Sequence, residues 1–135
     1  MNGNSDPVEV LDLSTILVEE SGNLRVLDSK QLHDLGFVRF FFLDGFENGV
    51  TRGNHAHREC WQLFLNFGGE VEFVFQTVKR AETRLITSFP SALLVPPMTW
   101  VSLRFVSKES RLMVAATHDF DEKDYIRSKD MFFEQ

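Results

Sequence analysis

Two histidines separated by one residue, in the run Arg52-Gly53-Asn54-His55-Ala56-His57, are the side chains best placed to do chemistry in this chain. In extended backbone, residues two apart point to the same face, so the spacing predicts that His55 and His57 project together. Imidazole gains and loses a proton near neutral pH. A neighbouring pair can therefore divide an acid–base reaction between them, or supply two ligands to a metal ion. Gln62 follows after the polar turn Arg58-Glu59-Cys60, and the next strand would bring it back beside the histidines. Arg52 stands just ahead of the pair, and its planar guanidinium can hold two oxygens of an anion at once. Each residue also has a plain structural reading. The histidines could merely line a strand face, Arg52 could solvate a turn, and Gln62 could be a paired core amide. His33 and His118 read as surface residues, and Cys60 as a small buried filler with no group beside it to stabilise a thiolate.

The elements that must carry these residues read as strands. Fourteen phenylalanines stand against one tyrosine and two tryptophans. They cluster in short aromatic and β-branched runs at 38–43, 61–67 and 70–75, bounded by Asp44-Gly45, Gly53-Asn54 and Gly68-Gly69, which is a strand-and-turn signature. Further strands are expected over 8–13, 24–27, 84–87, 92–95, 101–106 and 111–117. A short helix is expected over 29–35 with Ser29 as its cap, and a helical turn after Asp121. Nine or ten short strands with almost no helix predict an all-β jelly roll, sandwich or barrel in one domain over residues 1–135.

The chain has 135 residues, 43% hydrophobic and 25% charged, so it has the means to pack a core. No apolar run approaches the roughly 20 residues that span a bilayer, and residues 1–7 lack a signal-peptide core, so no membrane association is expected. A net charge of −6 argues against nucleic acid, which attracts basic faces. A single cysteine makes the cytoplasm the default compartment. The strands carry more apolar surface than one small sandwich covers, which predicts a homodimer.

The order Arg52-Gly53-Asn54-His55-Ala56-His57, then Gln62, Pro97-Met98-Thr99-Trp100 and Asp124-Tyr125-Ile126-Arg127, followed by Asp130 and Phe132, resembles the cupin sugar 3,4-ketoisomerases, including WxcM-like members. The resemblance runs from about Val8 to Phe132. It implies a cupin-type jelly-roll barrel acting on a dTDP-linked 4-keto-6-deoxyhexose in deoxysugar biosynthesis. The carbonyl would move from C4 to C3 through an enediol, with His55 and His57 exchanging the protons in roles left open between them. Arg52 would take the diphosphate, Gln62 a sugar oxygen or an imidazole, and Phe41 and Trp100 would bind substrate, although Trp100 also suits packing at the barrel mouth. Tyr125 and Arg127 would pack the C-terminal segment. No cofactor or metal is implied. Gln62 stands where a cupin metal site has a carboxylate and Val101 where it has its third histidine, and two histidines with a neutral amide make a poor divalent site.

The sequence departs from that family in three places. Phe40-Phe41-Phe42 replaces a strand that carries Tyr, Val101 follows Trp100 in place of His, and Ser21 replaces an arginine in Glu19-Glu20-Ser21-Gly22-Asn23-Leu24. These losses suit an alternative beside the isomerase, a nucleotide-sugar-binding or dimerising cupin without turnover; a metal-dependent cupin enzyme is a further, less favoured alternative.

Overall fold

The computed structural model describes residues 8–18 and 21–135, with side chains from 8–13 and 21–135. The polar residues 1–7, and Glu19 and Glu20 of the departing motif, lie outside the described residues.

Twelve strands are described: β1 (Glu9–Leu11), β2 (Ser14–Val18), β3 (Gly22–Val26), β4 (Arg39–Leu43), β5 (Thr51–His57), β6 (Gln62–Gly68), β7 (Glu70–Gln76), β8 (Thr83–Ser88), β9 (Ser91–Val95), β10 (Trp100–Phe105), β11 (Arg111–Ala116) and β12 (Tyr125–Ile126). They form two five-stranded antiparallel sheets in the orders β1-β9-β6-β11-β4 and β12-β5-β10-β7-β8, with β2 and β3 as a separate hairpin. The all-β expectation is met, and the two facing sheets make the cupin-like jelly roll. No helix among the described residues is long and apolar enough to cross a membrane.

Period-two alternation builds the core. Phe64, Leu93, Val95, Leu112 and Val114 of the first sheet face Val71, Phe73, Phe75, Leu103 and Phe105 of the second. A second cluster, on the back of the first sheet, contains Leu63, Leu94 and Ala115 and is covered by Leu27, Leu32, Leu35 and Phe37. The covering segment is where a helix over 29–35 was expected. Only a 3₁₀ turn forms there, at Lys30–Leu32, and Ser29 makes no side-chain capping bond to its backbone. Its hydroxyl bonds the Gln31 side chain instead. Laying four large apolar side chains along a sheet favours an irregular strap over a regular helix, whose side chains radiate.

The turn expected after Asp121 is present as a 3₁₀ turn at Glu122–Asp124, with the Asp121 carboxylate accepting from the Lys123 N–H. A five-residue helix, α1 (Lys129–Phe133), follows and is capped by Ser128. α1 seats Phe132 in a third cluster with Ala56, Trp100 and Ile126 on the outer face of β5 and β10.

Candidate active site

β5 carries the site, and an irregularity in it decides what faces inward. Along β10 the partner of Val101 is His55, that of Ser102 is Gly53 and that of Leu103 is Arg52, so Asn54 is skipped. Gly53 and Asn54 both take left-handed backbone, with φ of 88° and 61°. An inserted residue of this kind is a β-bulge, and it resets the alternation of the strand. Arg52 and His55 are three apart and would face opposite sides of a regular strand. The bulge turns both inward, beside Val101 and Leu103. Glycine is required at 53, because a Cβ there would lie 2.9 Å from the Val101 carbonyl oxygen.

The inward face opens on a cavity of about 390 Å³ whose wall includes Arg39, Phe41, Arg52, His55, Gln62 and Tyr125, with Val101 and Leu103 among its apolar members. Of the expected site residues, Arg52, His55, Gln62 and Phe41 therefore meet in one chamber. His57 stands close behind, on the same side of β5 as expected. Its ring centroid is 5.0 Å from that of His55 with the planes at 88°, but it is not among the cavity-lining residues.

Trp100 requires a correction. It is 5% exposed and faces outward from β10, where its ring centroid lies 5.7 Å from that of Phe132. Alternation along β10 points Val101 inward, so its neighbour points out, and α1 covers it. Trp100 packs the barrel from outside and offers no surface to a ligand in the cavity. Of the three departures from the family, Phe41 and Val101 are on the cavity wall, whereas Ser21 sits at the β2–β3 hairpin away from it.

The C-terminal segment supplies what the sequence reading missed. β12 pairs with β5, matching Tyr125 to His57 and Ile126 to Ala56. This places the Asp124 Oδ2 at 2.8 Å from the His57 Nδ1, while the Asp124 Oδ1 accepts from the Glu59 N–H at 2.7 Å. Tyr125, expected to do no more than pack, lines the cavity. Its ring centroid is 4.4 Å from His57 and 5.0 Å from His55. Arg127 extends beside a second, more polar groove of about 340 Å³ that it shares with Arg52, Asn54, His55 and Tyr125. Arg39 was also missed. It lines the cavity with its guanidinium 5.4 Å from the Phe41 ring centroid, and its Nε donates to the His118 carbonyl. Alternation in Arg39-Phe40-Phe41-Phe42-Leu43 was a usable signal, since it sets Arg39 on the inward face with Phe41.

Electrostatics separate the two imidazoles from ordinary histidines. Burial, then the neighbouring His57, push His55 down from 6.5 to about 4, so it is a neutral proton acceptor at physiological pH. Burial also lowers His57, against the opposing pull of the Asp124 hydrogen bond and charge. Burial pushes the Asp124 carboxyl up, but the His57 bond and the Glu59 N–H outweigh it and hold the group below its ordinary value. With the Nδ1 hydrogen of His57 given to Asp124, the lone pair of the ring is on Nε2, a buried atom without a partner among the described residues, as is the His55 Nδ1.

Among the described residues, one set of side chains could in principle hold a metal: His57, Cys60 and Asp124, whose donor atoms lie within 4.8 Å of one another. All three are already engaged. His57 and both Asp124 oxygens are used as described, and the Cys60 thiol donates to the Trp61 carbonyl. The donor set therefore fits a hydrogen-bonded support better than a metal centre.

Comparison with known proteins places this geometry. The chain is 23% identical over 116 residues to the TDP-4-oxo-6-deoxy-alpha-D-glucose-3,4-oxoisomerase of Aneurinibacillus thermoaerophilus, covering 86% of this chain and 84% of that one. Its fold is similar to that of QdtA, a sugar 3,4-ketoisomerase from Thermoanaerobacterium thermosaccharolyticum crystallised with TDP. That match has a TM-score of 0.84 at 22% identity over 95% of this chain and 93% of the other. It is also similar to WlaRA, a TDP-fucose-3,4-ketoisomerase from Campylobacter jejuni, with a TM-score of 0.81 at 24% identity over 94% and 93% of the two chains. The family described as FdtA, WxcM-like, C-terminal matches residues 6–135, and the chain belongs to that family.

Proposed function

We propose that the protein is a sugar 3,4-ketoisomerase that moves the carbonyl of a dTDP-linked 4-keto-6-deoxyhexose from C4 to C3. The observation that carries this reading is His55, a neutral imidazole on the wall of a chamber of about 390 Å³, with a guanidinium-lined groove opening beside it. His55 takes the proton from C3, and the electrons flow toward O4 to give an enediol. The same imidazolium then returns the proton to C4. Because the carbon proton is carried by one neutral base, the step needs no redox partner.

His57 acts from behind, its ring fixed by Asp124, and its Nε2 lone pair is available to the proton economy of the pair. Gln62 contacts a sugar oxygen, and Phe41 stacks against the ring of the sugar or base. Arg52 takes the diphosphate, and Arg127 is a second cation at the same groove. The Nε of Arg127 is held by both Glu122 oxygens at 2.7 and 3.1 Å, which leaves its two terminal nitrogens free for an anion. Homodimerisation is part of the reading, supported by the exposed outer face of edge strand β4, where Phe40 and Phe42 are 58% and 64% exposed. A cytoplasmic location is supported by the single cysteine.

A second reading, a binding protein without turnover, is favoured by the apolar Phe41 and Val101 on the chamber wall. Incubation with dTDP-4-keto-6-deoxyglucose in deuterated water separates the two. The isomerase gives 3-keto product with solvent deuterium in the sugar ring. Tight dTDP binding with neither product nor exchange would establish the binder instead.

A further inference from the structure

Three arginines border the chamber and the groove, and they are held in different ways. Arg39 donates to the His118 carbonyl, and Arg127 to the Glu122 carboxylate. Arg52 makes no hydrogen bond or ion pair among the described residues. Its guanidinium lies over the ring of Phe46, 5.3 Å from the centroid, where chamber and groove adjoin. A carboxylate partner would compete with a bound anion for the N–H donors, as Glu122 does at Arg127. An aromatic ring attracts the cation through its quadrupole. It sets no acceptor oxygen against the ligand, so the guanidinium keeps its donors for an anion.

Phe46 is itself firmly seated. Its ring stacks on that of Phe105, with centroids 4.7 Å apart and planes at 15°, and Phe105 is fully buried in the core. The loop that carries Phe46 is stapled to the same residue. The Gly49 N–H donates to the Phe105 carbonyl at 2.7 Å, and the Phe105 N–H donates to the Val50 carbonyl at 3.0 Å. Glu47, on that loop, pairs with Lys108. β10 thus holds Arg52 twice: Leu103 pairs with its backbone, and Phe105, two residues on, supports the ring against its head. Phe46 lines neither the chamber nor the groove, so its effect on a ligand there passes through Arg52.

We propose that Phe46 is a positioning residue for anion capture, its ring setting the Arg52 guanidinium where chamber and groove meet before the diphosphate arrives. This rests on the assignment of Arg52 to the diphosphate in the reading above. A long arginine side chain carries high rotamer entropy. Ordering it in advance removes that loss from the binding step.

Phe46→Leu keeps an apolar side chain against Phe105 and removes the aromatic face. By calorimetry it should weaken dTDP by about three- to five-fold, and it should raise KM for the keto-sugar with kcat within about two-fold. Phe46→Tyr, which restores the face, should return dTDP affinity to within about two-fold of wild type. In an Arg52→Ala background Phe46→Leu should have no further effect on dTDP, because the two residues act as one unit. An equal loss in both backgrounds, or wild-type dTDP affinity in Phe46→Leu, would overturn the proposal. Should Phe46→Leu fail to fold, Phe46→Met fills the same space without a ring and is read the same way. A wild-type protein that binds dTDP without turnover would refute the isomerase reading, and the same dTDP cycle would still decide Phe46. A wild-type protein that does not bind dTDP would overturn the diphosphate role of Arg52 and this proposal with it.

Discussion

His57 and Asp124 stand 67 residues apart in the chain and meet at 2.8 Å between Nδ1 and Oδ2, both largely shielded from water. The carboxylate selects one imidazole tautomer and fixes the ring plane, and the Glu59 N–H anchors the carboxylate in turn. The His57 ring is thereby held beside His55, with the ring centroids 5.0 Å apart.

Asp124→Asn keeps the shape but lets the amide donate as well as accept, so His57 loses its imposed tautomer. Loss of that control in a hydrogen-bonded catalytic unit costs orders of magnitude in rate when the ring is itself the base. If His57 supports the reaction from behind His55, as proposed, a drop in kcat of about 10- to 100-fold is expected, with little change in KM. Steady-state kinetics on the keto-sugar checks it, and a variant with wild-type kcat would refute a positioning role for Asp124.

His55→Asn should abolish isomerisation, lowering kcat by about 10³-fold or more, with the circular dichroism spectrum unchanged. The same variant should lose C3 exchange. Retained exchange would move the carbon base elsewhere.

Stability should depend on acid in a definite direction. His55 has an ordinary value of 6.5 and is held at about 4 in the fold, so the unfolded chain binds the proton more readily. The contribution is complete above pH 6.5 and is lost as pH falls toward 4. Partial exposure of the ring limits the loss to about 1–2 kcal/mol. Melting temperatures measured across that range should fall with acid by several degrees, and the His55→Asn variant should flatten this segment of the curve.

Arg52→Ala and Arg127→Ala should each weaken dTDP binding by roughly ten-fold, an effect that shrinks as salt is added. Glu122→Gln should act in the opposite sense, because it removes the anion that competes for Arg127, and tighten dTDP by a few-fold. Isothermal titration calorimetry reads all three. Identical affinities for the wild type and Glu122→Gln would show that Arg127 does not meet the ligand.

Trp100→Ala should destabilise the fold by about 3 kcal/mol or more, since it empties a packed site against Phe132. At temperatures where the variant stays folded, its dTDP affinity should be close to that of the wild type. A large affinity loss with little change in melting would instead return Trp100 to the site.

The legible parts of the site were those written in local alternation. His55-Ala56-His57 says by itself that two rings share a face, and the clustered phenylalanines announce strands bounded by glycine turns. The bulge at Gly53-Asn54 was not legible, because its effect lies in the register against β10, and Arg52 and His55 share a wall only through it. Trp100 and Val101 show the same limit. The motif names both, and only the pairing of β10 says which faces in. Asp124 and Tyr125 stood in a recognised motif, but their partners are chosen by the docking of β12 on β5, a tertiary event. The helix expected over 29–35 gave way to the demand of the outer sheet face for cover. The missed helix α1, at five residues, is too short for a periodic pattern to show.

The short edge strand β12 has a consequence for how the protein comes into being. Asp124, Tyr125 and Arg127 all arrive on one seven-residue strip beginning at Asp121, after every strand of the jelly roll has been laid down. During synthesis the barrel can close around His55 while Asp124, Tyr125 and Arg127 are still inside the ribosome. A chain stopped short of Asp121 would keep both imidazoles and most of the hydrophobic interior, yet lack the carboxylate that holds His57 and the ring and guanidinium that flank the pair on its open side.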